Sequence, residues 1–206
     1  MHIPRPYRLD DRAAIDRVIR EHGFATLVTT GDAGPDASLL PFLLDAESGP
    51  QGTLIGHMGR ANPQWQTLAG APTLVIFNGP HGYVTPRWYV DPGRYVPTWN
   101  YVAVHVRGVP ELIGEGEDTF AVLEATTAHF ESFQDHPWQL DESIDYARRI
   151  APGTVAFRIP IDSIEASFKL SQDKPAEVRE RVIAELERAG QHAVAEAMRE
   201  VPRERG

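Results

Sequence analysis

FATLVTTGDAGPDASLLPFLLD, residues 24–45, is the stretch on which the fold turns. Two runs rich in β-branched and apolar residues, 24–30 and 36–45, flank a centre of Gly, Asp and Pro. That pattern predicts two strands joined by a tight hairpin, with Gly31 and Gly34 able to take the positive φ that a sharp reversal demands. The same grammar continues outward. GTLIGHM (52–58) and TLVIFNG (73–79) read as further short strands, and YVAVHVRGVPELIG (101–114) as a long one with Val102, Val104 and Val106 on one face. Val155, Phe157, Ile159 and Ile161 mark a last strand. The intervening stretch 79–100, dense in Pro and Gly, reads as a loop held by packing.

Helical spacing appears in four places. Ile15, Val18 and Ile19 follow a cap at Asp10 or Asp11 and stop at His22-Gly23. Phe120, Leu123, Thr127 and Phe130 share a face within 114–133, a shorter helix covers 141–150, and Val178, Val182 and Leu186 line a helix after Pro175. About six strands on short connections, with helices between and after them, predict an α+β fold: a β-barrel with peripheral and C-terminal helices. Residues 1–172 would form the barrel domain and 173–206 a helical extension packed on it.

In 206 residues, 20 Lys and Arg face 29 Asp and Glu, a net charge of −9. Binding to a phosphate backbone rests on basic residues displacing counterions, so this balance argues against a nucleic-acid surface. With no cysteine, disulfides, zinc–cysteine sites, iron–sulfur clusters and thiol catalysis are excluded. No apolar run approaches the roughly 18 residues of a membrane span, and the start lacks a signal-peptide core. The expectation is a soluble, cytoplasmic protein. G-x-S-x-G, P-loop and H-E-x-x-H signatures are missing and the eight histidines are dispersed, so no metal site is expected.

Three segments gather chemistry. In GHMGRANPQW (56–65), Asn62-Pro63 reads as a helix cap and first turn directly after Arg60, a combination suited to phosphate, or else to a plain surface ion pair. FKLSQDKP (168–175) places Lys169, Ser171, Gln172 and Lys174 together where lysine is otherwise rare; a strand-to-helix turn is the alternative. In VPTWNYVAVH (96–105), Trp99 and Tyr101 could wall a planar ligand while Thr98 and Asn100 address its polar edge. A flat, monophosphorylated cofactor such as FMN meets all three descriptions, as do other nucleotides and acidic metabolites.

MHIPRPY, GHMGRANPQW, VIFNGPHGYVTPRWY, VPTWNYVAVHVRG and FKLSQDKP, in this order, resemble the PaiB family of FMN-binding negative transcriptional regulators, from residue 1 to about 200. The resemblance implies a split β-barrel with FMN at a homodimer interface. By analogy His57, Arg60 and Asn62 would lie near the flavin phosphate, with Lys169, Ser171 and Gln172 near the same pocket; Trp99 and Asn100, from the reading of VPTWNYVAVH itself, complete the candidate cofactor contacts. The chain departs from the pattern at Leu39, where a His is common, and at Asp173, where an Asn is common. Losing a donor and gaining an acid would each weaken anion binding. The family name implies repression, although net charge leaves direct DNA contact without a surface. An FMN-dependent oxidoreductase and, behind it, a haem protein using His57, His81 or His105 are the alternative readings.

Overall fold

In a computed structural model the hairpin forms as its composition demands. β1 (Phe24–Gly31) and β2 (Gly34–Asp45) pair antiparallel from Phe24↔Pro41 to Gly31↔Gly34. Of the two turn glycines, Gly34 takes the positive φ, 110°. The structure describes residues 1–89 and 91–201; the last residues of the expected 173–206 extension lie outside them.

The remaining strands are β3 (Thr53–Gly59), β4 (Thr73–Val84), β5 (Thr98–Gly108), β6 (Glu111–Leu112) and β7 (Thr154–Lys169). Their order is β3-β2-β1-β4-β5-β7-β6, and β3 also pairs with β7, from Thr53↔Pro160 to Gly59↔Thr154, so the sheet curls into a ring. Among the described residues seven strands stand where about six were expected, because the segment read as one strand over 101–114 breaks at Val109-Pro110 into β5 and the two-residue β6. The helices are α1 (Arg12–Glu21), α2 (Glu117–Glu131), α3 (Ile144–Ile150), α4 (Ala176–Arg188) and α5 (His192–Glu200).

The segment 79–100 departs most from expectation. β4 continues through Gly79, Pro80, His81 and Gly82 to Val84. Here glycine serves close approach instead of reversal: a Cβ on Gly79 would stand 2.9 Å from the Val102 Cβ. The buried stripe of α2 is also shifted, to Thr119, Phe120, Val122 and Thr126. Thr126 and Thr127 satisfy their hydroxyls on the carbonyls of Val122 and Leu123, at 2.7 and 2.9 Å, which lets threonine sit in the helix.

The chain divides into two compact units. The first comprises Met1–Ile15, Asn78–Val104 and the chain from Glu165 onward; the second comprises Asp16–Phe77 and His105–Ile164. In the second, Phe42 is the centre of the ring's core, edge-on to Phe77 and to Phe157 at 6.0 Å each. Leu27, Leu54, Val75, Val106 and Ile159 are fully buried around it, each burial worth about 1.5–3 kcal/mol. In the first, Val102, Val182, Leu186 and Met198 form the core. The N-terminal segment is pinned there by a bridge from Arg8 to Ser167 and by Leu9 N–H donating to Ala166.

One sheet face of the second unit exposes two large apolar side chains. Thr26 pairs with Leu39 and Phe24 with Pro41, and Phe24 and Leu39 are 62% and 61% exposed. Among the described residues no helix is long and apolar enough to cross a membrane.

Candidate functional site

In the second unit, GHMGRANPQW spans the end of β3 and the turn after it. His57 sits on β3 opposite Ala156. Its Nδ1 is buried without a hydrogen-bond partner, and burial holds the imidazole below its ordinary pKa. Arg60 follows the strand and is fixed at several points. Its N–H donates to Gly153 at 2.7 Å, its Nε to the Pro152 carbonyl at 3.1 Å, and its Nη2 to Glu115 Oε1 at 2.8 Å. The surface ion pair that the sequence left open is therefore present, with Arg60 37% and Glu115 80% exposed.

The helix expected after Arg60 is a five-residue 3-10 turn, Pro63–Thr67. Asn62 caps it as foreseen, Oδ1 accepting from Gln64 N–H at 3.0 Å. However, QTLAGAP offers no apolar helical repeat to extend it, and Gly70 at φ 78° ends the segment. So few aligned peptides build little macrodipole, and the positive charge here is that of Arg60 itself. Asn62 Nδ2 donates to Ser38 Oγ at 2.8 Å. Gln64, which the sequence did not single out, is 2% exposed and donates to Thr29 Oγ1 at 3.1 Å and the Asp36 carbonyl at 3.2 Å. These bonds clip the motif to the β1–β2 hairpin. A cavity of about 200 Å³ adjoins Arg60 and is shared with Arg148, whose Nη1 donates to Glu117 at 2.6 Å.

The first unit gathers the other predicted residues. Lys169 ends β7; its Nζ donates to Thr98 Oγ1 and, at 2.9 Å, to the Trp99 carbonyl. Burial lowers its pKa. Ser171 follows at φ 60°, its Oγ donating to Asn100 Oδ1 at 3.0 Å. Gln172 is 5% exposed and bridges its own turn, accepting from Leu170 N–H at 2.8 Å and donating to the Phe168 carbonyl. Asn100, 1% exposed, also donates to Met198 Sδ at 3.2 Å. Gln172 and Asn100 thus hold backbone and helix in place. Lys169, Ser171, Asn100 and Thr98 line a cavity of about 280 Å³ together with Tyr7, Tyr89, Tyr95, Asp173 and Lys174. Trp99 is 51% exposed and packs its ring against His81 and Tyr83, centroids 5.8 and 6.1 Å away.

Tyr89 and Tyr95 stand among the aromatics concentrated in 79–100, but none of the three tyrosines is assigned to a site from the sequence. Tyr7 lies within MHIPRPY, a motif quoted only for its resemblance, and Tyr89 and Tyr95 lie in the segment read as packing loop. Among the described residues no group of three or more His, Asp or Glu is placed to hold a metal.

Residues 1–163 match the model of a family described as "Putative FMN-binding domain". Over 189 residues, 91% of this chain and 89% of the relative, the sequence is 32% identical to protease synthase and sporulation protein PAI 2 of Bacillus subtilis. The FAD and haem binding protein of Mycobacterium smegmatis superposes with a TM-score of 0.60 at 20% identity, covering 86% of this chain and 80% of that one. A flavocytochrome from Azotobacter vinelandii gives 0.58 at 13% identity over 81% and 72%. At such identities these structures speak for the fold, a split barrel. With the domain match over four-fifths of its length and a relative aligned almost end to end, the chain belongs to the PaiB family of FMN-binding-domain proteins, and FMN is its cofactor.

Proposed function

We propose that this protein is a regulatory flavoprotein that binds FMN as a homodimer, with the flavin phosphate taken by Arg60 and the polar groups of His57 and Asn62 around it. The observation that carries this reading is the orphaned, buried His57 Nδ1 three residues before a half-exposed guanidinium, inside the segment that matches the family's domain. The donor set fits the group. A phosphate seeks a planar fork of charged donors and neutral N–H groups. The Glu115 carboxylate now on Arg60 is 80% exposed; such a pair is worth about 0–1 kcal/mol and yields readily to a dianion. When bound, the flavin supplies the redox chemistry, while the residues of this chain bind and orient it.

The homodimer is supported by the Phe24–Leu39 face. Asn62 bonds Ser38, which precedes Leu39 on β2 and faces the other side of the sheet, so the phosphate motif is tied to the same strand that carries the exposed Leu39. The regulatory part of the reading follows the name of the Bacillus subtilis relative, which ties that protein to protease synthesis and sporulation. Arg60, Arg94, Arg148, Arg158, Arg188 and Arg199 are each paired with a carboxylate. Exposed pairs of this kind are weak; it is the net charge of −9 that supports regulation through ligand and protein contacts in preference to a phosphate-backbone surface.

Titration of the purified protein with FMN, read by quenching of flavin fluorescence, tests the cofactor site, and the same samples on a sizing column with light scattering test the dimer. Fast turnover of NADH or NADPH by the loaded protein would replace the regulatory reading with that of an oxidoreductase.

A further inference from the structure

The chain contains two lysines against eighteen arginines, and both line the cavity of the first unit. A lysine there is a point charge with three donors. Lys169 spends two of them on Thr98 and the Trp99 carbonyl, and Lys174 spends one on Asp173 Oδ2 at 2.8 Å. Protons remain on both ammonium groups. Each also faces a ring of the cavity wall: Lys169 stands 6.0 Å from the Tyr7 centroid and Lys174 5.5 Å from that of Tyr95. Tyr95 in turn packs on Tyr89 at 4.4 Å. Burial, together with the nearby Asp173 carboxylate, pushes the Tyr7 pKa up to about 12, so the phenol keeps its proton.

With point-charge lysines in place of the planar fork that Arg60 offers, net charge decides what this cavity takes. Two ammonium groups against the single Asp173 carboxylate leave one net positive charge, and Arg94 at the margin is already paired with Asp91 at 3.0 Å. A phosphomonoester carries about −1.5 to −2 at neutral pH and would be left partly uncompensated; a carboxylate is matched. Size points the same way. The cavity's 280 Å³ exceeds the roughly 150 Å³ that admits benzene and falls just short of the usual drug-sized range. Its floor is stiff, since Ser171 is held at φ 60° by its bond to Asn100 and by the Gln172 bridge, a kind of strain that gathers at ligand clamps.

We propose that this cavity is a binding site for a small aromatic monocarboxylate, its acid between Lys169 and Lys174 and its ring among Tyr7, Tyr89 and Tyr95. The site is separate in kind from the flavin phosphate site and adds a ligand to which the protein responds. It is tested on the full chain loaded with FMN, titrated with benzoate, phenyl phosphate and benzyl alcohol while tyrosine and tryptophan emission and flavin absorbance are followed. Benzoate saturates the signal, phenyl phosphate binds more weakly and benzyl alcohol does not bind.

Lys174→Gln and Lys169→Met each weaken benzoate by about tenfold or more, the loss of a charged hydrogen bond, with circular dichroism checking the fold. Asp173→Asn, which removes the cavity's negative charge, shifts preference toward phenyl phosphate by about tenfold. Absence of benzoate binding, or binding indifferent to both lysine variants, overturns the proposal. So does release of FMN one for one by benzoate, which would make the cavity the flavin's own.

Discussion

Arg60 and Lys169 are both cations in an acidic chain, and their surroundings make them different instruments. Arg60 sits half exposed at the end of β3, its fork already divided between backbone carbonyls and the exposed Glu115. Lys169 sits among tyrosines with a partner lysine five residues on and a carboxylate that cancels half their charge. The arginine offers a planar fork whose present counter-ion is weakly held, which suits a phosphate. The lysines offer a walled cavity with one net charge, which suits a smaller anion. Counting charges alone would have made the two sites equivalent; what each group is bonded to separates them.

The comparison can be broken most severely at the turn that holds the lysines. Gln172→Leu removes both bonds that the amide makes to Leu170 and Phe168 and leaves a buried N–H and C=O unpaired, at a cost of about 2–4 kcal/mol. Urea unfolding should show the loss as a lower midpoint with an unchanged slope. FMN affinity at saturating stability should stay within about twofold, because Arg60 does not depend on that turn; a parallel collapse of FMN binding would merge the two sites. Next in size is Leu39→Glu, which places a charge on the exposed face of β2. An interface anchor is worth about 2 kcal/mol or more, so the proposed dimer should weaken by roughly 30-fold, read by sedimentation. An unchanged sedimentation coefficient across the dilution series would remove the apolar face from the account.

Smaller effects sharpen the arginine side. Glu115→Gln frees the Arg60 fork from an exposed pair worth about 0–1 kcal/mol. FMN then binds about two- to fivefold tighter, with a gain that shrinks as salt is raised. The smallest effect is in pH. Burial depresses the folded pKa of His57, and of His22. Above about pH 6.5, the ordinary histidine value, neither state is protonated and stability is flat. As pH falls below it the unfolded chain takes up protons first, so stability declines toward the lower folded values. His57→Asn should flatten part of that decline in urea midpoints measured between pH 7.5 and 5; an identical slope would show that His57 is not the group responsible.

Much of this was readable in residues 24–45 and in the alternation of Val102, Val104 and Val106, because an antiparallel strand with one buried face writes its period into the sequence. The cap at Asp11 and that at Asn62 were equally legible, each a local bond between a side chain and an N–H two or three residues on. The passage of β4 through Gly79 and Gly82 was not. Those glycines make room for Val102 and Gln191, residues distant in sequence, and composition alone cannot distinguish room from reversal. The tyrosine cavity was hidden for the same reason. Tyr7, Tyr89 and Lys169 come from three separate stretches, and the pinning of the N-terminal segment along Glu165, Ala166 and Ser167 joins the first to the last.

If the flavin phosphate belongs to the arginine and not to the lysines, FMN affinity depends on the first and is nearly indifferent to the second. FMN titrations of Arg60→Ala and Lys169→Met, run side by side with the parent protein, test it directly. Loss of a charge-assisted contact is worth about 1.5–3 kcal/mol, so the arginine variant should bind FMN about 10- to 100-fold more weakly while the lysine variant stays within about threefold. The reverse pattern would contradict the account and move the flavin phosphate into the tyrosine-lined cavity.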